Sequence, residues 1–311
     1  MFEDIDAASV TPPERDSVTA LENGTSPTIV SISDIHGYLS AARSVLLAVG
    51  EHPDYDPVVE TDGARRLQWA GNDEYVLVFN GDLTDRGVHS AEVVEMAARL
   101  TEQAPPGHVR VTFGNHEMGV LTPDVFDWGD WYSMDRTDDQ RRGFVDAIRD
   151  GHVVAAYEGY SVTYAHAGLQ EPYDVTELNE SFLAGAEEIE AAIGTEEERT
   201  VQERVITEYP DVYGLGGQTG RGPDAGVAWL DFEYMPSDAP PQIVGHTRQD
   251  APIREGSVVC ENVIRNNRRG DGGEAVILET PERIVALGRA ADGSVREHEF
   301  RMPPRQEANK A

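Results

Sequence analysis

The sequence predicts an α/β protein whose first half is built on a largely parallel sheet. Three short runs rich in β-branched residues are each followed by a segment with helical or mixed spacing. Strands that alternate with helices of about ten to fifteen residues are typical of βαβ crossovers, which place neighbouring strands parallel. Each run also ends in a cluster of Asp, Asn, His or Gly residues. The carboxyl ends of such strands line one crevice, so we expect a functional site there.

The elements of the first half follow from the spacing of apolar residues. A short hairpin is expected around Leu67–Trp69, because Pro, Asp and Gly residues punctuate the segment 53–71. The predicted strands and helices are strand 28–33 and helix 38–49, strand 75–80 and helix 88–103, and strand 109–113 with a later helix at 138–149.

The second half predicts a hairpin, surface helices and further strands. The acidic run 183–209 indicates solvated surface helices, with a role in gating substrate as the alternative. Sequential strands with short turns favour an antiparallel or mixed second sheet. The expected segments are a hairpin from 153–157 and 160–164, a strand at 241–245, and strands at 256–264, 274–279 and 283–288.

The chain shows no internal repeat and no linker rich enough to separate two domains. We therefore expect one domain over residues 27–300, with an acidic helical insertion at about 170–235. Residues 1–26 are polar, acidic and without sustained periodicity, which predicts a loosely ordered arm. Residues 301–311 form a polar tail.

The charge balance is strongly acidic. The 311 residues include 57 acidic and 25 basic side chains, for a formal net charge of -32. Such a surface repels nucleic acids and anionic membranes, and its self-repulsion requires screening by salt, as in halophiles. An acidic protein of a mesophile is the alternative. The start of the chain lacks a basic leader and no run of eighteen apolar residues occurs, so we expect a cytoplasmic protein without nucleic-acid or membrane partners.

Five predicted strand ends carry residues that can hold a metal ion or a phosphate. Any one cluster is weak, because an Asp there also suits an Asx-turn or helix cap and a His suits a hydrogen-bonded core position. Five such clusters in order indicate a shared pocket. They are Asp34-Ile35-His36-Gly37, Gly81-Asp82-Leu83-Thr84-Asp85-Arg86-Gly87, Gly114-Asn115-His116-Glu117, His166-Ala167-Gly168 and Gly245-His246-Thr247.

This series resembles the calcineurin-like metallophosphoesterase superfamily, and within it the phosphoprotein-phosphatase branch. That branch includes bacterial and archaeal serine/threonine phosphatases and symmetrical diadenosine tetraphosphatases. The resemblance covers residues 28 to 290 approximately and implies two mixed β-sheets packed as a sandwich with flanking helices. Together with the acidic composition, it leads us to expect a haloarchaeal protein.

The resemblance implies a centre of two divalent metal ions. A carboxylate shared between the ions, here Asp82, can hold them about 3.5–4 Å apart. Mixed oxygen and imidazole donors suit manganese, iron or zinc, and we expect manganese. The implied ligands are Asp34, His36 and Asp82 for the first ion, and Asp82, Asn115, His166 and His246 for the second.

The resemblance also assigns the catalytic residues. A hydroxide bridging the ions would attack phosphorus in line, His116 would be the general acid, and Asp85 would orient it. Arg86 would bind phosphoryl oxygens through its forked guanidinium. Bacterial relatives place a second phosphate-binding arginine after a tryptophan, whereas Leu230 follows Trp229 here; Arg221 or Arg248 is a candidate instead.

The expected activity is hydrolysis of phosphomonoesters, as in a serine/threonine phosphatase. The expected partners are phosphorylated proteins or small phosphate esters, and the sequence leaves the oligomeric state open. One alternative is a hydrolase of dinucleoside polyphosphates or phosphodiesters. Another is a phospho-ligand binding protein without turnover, although such a protein has no need of a leaving-group acid.

Overall fold

The computed structural model describes residues 5, 7–21, 26–126, 128–267 and 272–301. The strands are β1 (Thr28–Ile32), β2 (Val59–Thr61), β3 (Leu67–Trp69), β4 (Tyr75–Phe79), β5 (Val109–Thr112), β6 (Val153–Val154), β7 (Ala156–Glu158), β8 (Thr163–Ala165), β9 (Gln242–Val244), β10 (Ile253–Glu255), β11 (Val258–Cys260), β12 (Ala275–Glu279), β13 (Ile284–Arg289) and β14 (Val295–Phe300). The helices are α1 (Pro12–Asp16), α2 (Leu39–Glu51), α3 (Ser90–Gln103), α4 (Asn115–Leu121), α5 (Asp138–Arg149), α6 (Val175–Ala192), α7 (Glu198–Glu208), α8 (Pro210–Tyr213) and α9 (Ile264–Asn267).

Most strands belong to two mixed sheets. The larger sheet has the order β14-β13-β12-β1-β4-β5-β6, and the smaller has the order β10-β11-β9-β8-β7. Within the larger sheet β1, β4, β5 and β6 are parallel, as the alternation of strands and helices predicts. Strands β8 and β9 are parallel in the smaller sheet. The carboxyl ends of parallel strands in each sheet can therefore carry residues to a common edge.

The two sheets pack on each other, and helices cover the larger sheet on its other side. Ile29 and Val76 share one buried core with Tyr164 and Ile243 of the smaller sheet. Val30, which alternates with Ile29 along β1, lies instead in the core that includes residues of α2 and α3. This arrangement confirms the expected α/β sandwich with flanking helices.

The predicted hairpin at 153–157 and 160–164 is divided between the sheets. Strand β6 pairs in parallel with β5 of the larger sheet, whereas β7 pairs antiparallel with β8 of the smaller sheet. The chain thus crosses between sheets at the buried residue Ala155. An apolar run that is buried throughout carries no periodic signal for such a crossing.

The prediction that the last strands form a second sheet is wrong for two of the three. Strand β11 joins the smaller sheet beside β9, but β12 and β13 pair antiparallel beside β1 in the larger sheet. Strand β14 was not predicted. It lies at the sheet edge with mostly exposed charged side chains, so its sequence lacks an apolar pattern.

The described part of the expected N-terminal arm is packed against the domain. Pro12 and Pro13 begin α1, and the side-chain amide of Asn179 on α6 donates to the Asp16 carboxylate over 2.8 Å. Val18 is fully buried. The rest of the arm (1–4, 6 and 22–25) and the tail 302–311 lie outside the described residues.

The acidic segment between β8 and β9 contains α6, α7 and α8. The division into one domain with an insertion stays a prediction. In the described part of the chain, no helix combines the length and apolar character that crossing a bilayer requires.

Candidate metal centre and active site

The candidate site lies where strand ends of both sheets converge. Because β1, β4 and β5 are parallel, the residues that follow them reach one edge of the larger sheet. The residues after β8 and β9 reach the same place from the smaller sheet. The side chains brought together are Asp34, His36, Asp82 and Asn115 from the larger sheet, and His166 and His246 from the smaller one.

Asp82 lies at the middle of this group. Its Oδ2 atom is 3.5 Å from His36 Nε2 and 3.4 Å from His166 Nε2. His36 Nε2 is also 3.7 Å from Asp34 Oδ1. Nitrogen and oxygen ligands that bind one ion at about 2.0–2.2 Å are separated by roughly this distance. Asp82 therefore has the position that a carboxylate shared between two ions needs.

The second group of ligand atoms surrounds His246. Its Nδ1 atom lies 3.0 Å from Asn115 Oδ1 and 3.3 Å from His166 Nε2. Ligand atoms of Asp82, His166 and His246 all lie within 4.8 Å of one another, and the same is true of His36, Asp82 and His116. The two groups share Asp82, as a two-ion centre requires.

Contacts outside these groups orient the imidazoles toward the centre. The Nδ1–H of His36 donates to the Thr84 carbonyl over 2.9 Å, and the Nδ1–H of His166 donates to the Asn80 carbonyl over 3.0 Å. These bonds direct both Nε2 atoms toward the centre, where a divalent cation can take the place of a proton. Asp34 Oδ1 is buried and has no hydrogen-bond partner among the described residues. The donor set thus fits divalent metal ions.

The pKa values of the cluster reflect buried groups in close contact. Burial raises the pKa of Asp34 to about 7. Burial opposes the protonation of His166, but the interactions with Asp82, with Asp34 and with the Asn80 carbonyl together outweigh it and raise the pKa of that imidazole to about 10. Burial lowers the pKa of His36 to about 3. Two buried carboxylates side by side favour binding of positive charge, which a divalent cation supplies.

His116 and Asp85 form a hydrogen-bonded pair next to this centre. His116 Nδ1 lies 2.5 Å from Asp85 Oδ2, and its Nε2 lies 3.9 Å from Asp82 Oδ2. Asp85 also accepts hydrogen bonds from the hydroxyl and backbone N–H of Ser133, at 2.7 and 3.0 Å. Burial alone would raise the pKa of Asp85, but the interactions with His116 and Ser133 outweigh burial and hold the pKa below its ordinary value, so the carboxylate stays ionised.

Arg86 lies beside the same pair. Its guanidinium carbon is 3.9 Å from the ring centroid of Trp131, and that indole stacks on His116 with a centroid distance of 4.8 Å. Burial lowers the pKa of Arg86, and the positive charge of Arg265 lowers it further. Arg265 is therefore a second positive group close to Arg86.

The two candidates for a further phosphate-binding arginine have different surroundings. Arg221 Nη2 lies 2.7 Å from Asp231 Oδ1, and the same carboxylate oxygen is 3.8 Å from His246 Nε2. Arg221 thus lies at the edge of the second ligand group. Arg248 is exposed at the surface.

Sequence reasoning left Glu117 without a role, although it lies in one of the motifs. Its Oε2 accepts from the backbone N–H of Asp82 at 2.8 Å and of Gly114 at 3.1 Å, and its Oε1 accepts from Leu83 N–H at 3.1 Å. Glu117 is three residues after the N-cap Gly114, the position from which the acid of a capping box reaches back to the N-cap N–H, and this spacing is the signal that could have indicated its role. Glu117 ties two strand ends to α4.

Asn262 and Glu261 form hydrogen bonds with residues next to the site, and no pattern in the sequence indicates this role. The Asn262 amide donates to the His246 carbonyl over 2.9 Å. Glu261 Oε1 accepts from Ser31 Oγ at 2.6 Å and from Asn80 Nδ2 at 3.1 Å. Asn262 is 16 residues from His246, and Glu261 is 230 residues from Ser31, so no local spacing predicts these contacts.

Strained backbone conformations concentrate at the site. A positive φ is uncommon for residues other than glycine and costs on the order of 1–3 kcal/mol, which the surrounding structure must offset. The site residues with left-handed φ are Asp34 (51°), His36 (48°), Asp82 (54°), Asp85 (70°), Arg86 (63°) and His246 (57°). Such strain is typical of positions where side-chain placement is functional.

The model of the family described as calcineurin-like phosphoesterase matches residues 27–192, which include the first five of the six ligand candidates in chain order. The chain belongs to the calcineurin-like phosphoesterase family. This phosphoesterase is therefore a metal-dependent hydrolase of phosphoric esters. A search of curated proteins finds no match.

Solved structures with the same fold extend over nearly the whole phosphoesterase. A cold-active protein-tyrosine phosphatase of a psychrophile, Shewanella sp., superposes with a TM-score of 0.60 at 17% identity, covering 93% of this chain and 85% of that one. A structure of a cold-active protein tyrosine phosphatase at 1.1 Å gives a TM-score of 0.60 at 18% identity, covering 93% and 83%. At these identities the similarity establishes the fold alone.

Proposed function

We propose that this phosphoesterase hydrolyses phosphomonoesters, as a serine/threonine phosphatase-like member of the phosphoprotein-phosphatase branch. The observation that carries the proposal is the pair His116–Asp85, with His116 Nδ1 held 2.5 Å from the Asp85 carboxylate and Nε2 directed toward Asp82. A protein that only binds phosphorylated ligands has no use for a group placed to protonate a leaving oxygen.

Two divalent cations complete the proposed site, with manganese as the first candidate and iron or zinc as alternatives. When bound, such ions lower the pKa of water and stabilise charge on phosphoryl oxygens. Asp82 would contact both ions, because its Oδ2 faces His36 and His166. The proposed ligands are Asp34, His36 and Asp82 for one ion, and Asp82, Asn115, His166 and His246 for the other.

The reaction forms a bond from a water oxygen to phosphorus and breaks the bond from phosphorus to the ester oxygen. Asp85 accepts a hydrogen bond from His116 Nδ1–H and so fixes the ring with Nε2 toward the departing oxygen, to which His116 donates a proton. Arg86 presents parallel N–H groups that match two phosphoryl oxygens, and stacking on Trp131 fixes its direction. Phosphate and an alcohol are the products.

Two substitutions separate metal binding from proton donation. Asp82→Asn should lose metal and activity together, because it removes the shared carboxylate. His116→Asn should keep nearly wild-type metal content and lower kcat by about 10²- to 10⁴-fold. The measurements are metal content by mass spectrometry and manganese-dependent phosphate release from a phosphoserine peptide, whose alkoxide leaving group needs a proton.

Several outcomes would contradict the proposal. Equal loss of metal in both variants would remove the proposed role of His116. A folded, manganese-loaded preparation without turnover on phosphomonoesters would overturn the activity itself. A substrate panel with a phosphopeptide, diadenosine tetraphosphate and a phosphodiester at high salt would show which bond the enzyme prefers to break.

A further inference from the structure

We propose that a row of aromatic side chains beside His116 binds an aryl group on the leaving-group side, so that the enzyme prefers aryl to alkyl phosphomonoesters. The aromatic row consists of Phe126, Trp128, Trp131 and Trp229. The inference rests on the proposed function, since it takes His116 as the acid that protonates the ester oxygen. It refines that function, because phosphoserine and phosphothreonine esters stay substrates while aryl esters are preferred among the phosphomonoesters.

The aromatic row follows one side of the site from the general acid to the second ligand group. Trp131 stacks on His116 with an interplanar angle of 21° and a centroid distance of 4.8 Å. Trp128 lies 5.5 Å from His116 and 5.3 Å from Trp131. Trp229 lies 5.9 Å from Trp128 and 6.3 Å from His246. A group that leaves toward His116 therefore departs along this row.

The rings on the outer side of the row are half-buried. Phe126, Trp128 and Trp131 keep part of their surface in solvent, whereas Trp229 behind them is only 7% exposed. The described residues between α4 and α5 form no helix or strand, so an irregular loop carries Phe126, Trp128 and Trp131, whereas Trp229 comes from the segment between α8 and β9. Apolar surface left in water next to a catalytic group is a feature of ligand-binding sites.

The position of the row selects the chemical class of the leaving group. The ester oxygen must come within about 3 Å of His116 Nε2 to take its proton. In an aryl ester the ring is bonded directly to that oxygen and would therefore lie next to Trp128, which is 5.5 Å from His116. Aromatic rings attract each other at centroid separations of about 4.5–7 Å. A serine side chain offers one methylene group there, and a nucleobase is separated from its phosphate by a ribose.

The row also packs on the helix that carries His116, so its structural contribution must be separated from binding. A Cβ atom at Gly119 on α4 would lie 3.0 Å from Trp128 Cζ3, and the Trp229 indole N–H donates to Met118 Sδ over 3.0 Å. If the rings only supported α4, their removal would lower turnover of aryl and alkyl esters by the same factor. A binding role lowers the aryl reaction more.

The first test compares two phosphopeptides that share one sequence and differ only in phosphotyrosine or phosphoserine. For Trp128→Leu, the ratio of kcat/KM for phosphotyrosine to that for phosphoserine should fall about 2- to 10-fold, the range that one aromatic contact supports. Trp128→Phe should restore the ratio. Trp69→Leu, in strand β3, is the matched control and should leave the ratio unchanged. A wild-type enzyme that prefers phosphoserine, or a ratio that Trp128→Leu does not change, would overturn the inference.

The second test measures binding without turnover. Manganese-loaded wild-type protein should bind phenylphosphonate more tightly than ethylphosphonate in calorimetric titrations, and Trp128→Leu should reduce this difference. If the wild type shows this preference but hydrolyses neither peptide, the proposed function fails while the aryl site stands. Equal affinity for the two phosphonates would contradict the aryl site. A higher affinity for adenosine monophosphate than for phenylphosphonate would contradict it as well.

Discussion

At the scale of single residues, glycines next to the ligands are required for space. A Cβ atom at Gly114 would lie 2.5 Å from Asp82 Oδ1, and one at Gly245 would collide with Asp34 Oδ2. Neither glycine has a positive φ, so the requirement is steric and not conformational. Any side chain at these positions must displace a proposed ligand.

Gly245→Ala tests this steric requirement. The added methyl group should displace Asp34 and weaken manganese binding by about 10- to 100-fold, the range for losing a contact that orients a ligand. The measurements are manganese affinity by titration calorimetry and kcat. Gly63→Ala is the matched control, because a Cβ atom at Gly63 would have nothing within 4 Å. Equal manganese affinity in the two variants would show that the crevice relaxes freely.

A buried histidine away from the site predicts the response of stability to acid. His152 is 4% exposed, and neither ring nitrogen has a hydrogen-bond partner among the described residues. Burial and the nearby Arg110 lower its pKa below the ordinary value of 6.5. The unfolded chain therefore binds a proton at His152 more readily than the folded chain does. Above pH 6.5 this difference does not reduce the free energy of unfolding, and as the pH falls below 6.5 the free energy of unfolding decreases.

His152→Phe should reduce the loss of stability between about pH 7 and pH 5, because it keeps a ring and removes the titrating nitrogens. Each unit by which the folded pKa lies below 6.5 corresponds to about 1.4 kcal/mol. Urea unfolding at a series of pH values and constant salt gives the free energy of unfolding. Parallel curves for the wild type and the variant would show that His152 does not titrate in this way.

At the scale of elements, the site depends on a junction between two strand ends and one helix. Glu117 on α4 accepts three backbone N–H groups from the segments that follow β4 and β5. Asp82 N–H is one of these donors, so the junction fixes the backbone of the central proposed ligand. The geometry of the site thus depends on a carboxylate that contacts no substrate in the proposed mechanism.

Glu117→Gln should destabilise the fold by about 1–3 kcal/mol, because an amide nitrogen then faces a backbone N–H inside the protein. Manganese affinity should fall with it. The readouts are the free energy of unfolding in urea and the calorimetric affinity. Glu60→Gln, at an exposed position in β2, is the control. A Glu117→Gln variant as stable as this control would contradict the importance of the junction.

The sequence predicts elements better than it predicts their pairing. Helix α5 has the predicted bounds, because its amphipathic spacing begins at a Thr137 cap that accepts from Gln140 N–H. The prediction that β12 and β13 belong to the second sheet is wrong, and the sequence does not predict the crossing between sheets at Ala155. Apolar alternation records which face of a strand is buried, but the two sheets of a sandwich bury their faces in the same way.

The same contrast holds within the candidate site. Its proposed ligands are marked by short motifs at strand ends, so the sequence alone predicts which side chains converge. Ser133, Trp131 and Asn262 come from loops whose positions depend on the completed fold. Their contacts join residues that are 15 to 48 positions apart along the chain, so no periodicity or local spacing predicts them.

At the scale of the whole molecule, the excess of acidic residues predicts a dependence of stability on salt. With 57 acidic and 25 basic side chains, the folded protein carries a formal net charge of -32. Repulsion within a compact body of this charge opposes folding in dilute buffer. The composition therefore leads us to expect that salt stabilises the folded protein.

The melting temperature should therefore rise between about 0.1 M and 2 M KCl, because the screening length falls from about 10 Å to below 3 Å. Differential scanning calorimetry at fixed pH and manganese concentration measures this rise. A sucrose series of equal osmolality is the control for effects of water activity. A melting temperature that does not respond to KCl would count against adaptation to high salt.

The proposed ligands come from both sheets. Asp34 and Asp82 follow strands of the larger sheet, and His166 and His246 follow strands of the smaller sheet. Cations bound between these ligands would cross-link the two sheets of the sandwich. An ion that binds only the folded chain adds stability in proportion to the logarithm of its free concentration. Removal of the metal ions would then do more than abolish activity. It would weaken the contact between the two sheets and make the chain more susceptible to proteolysis.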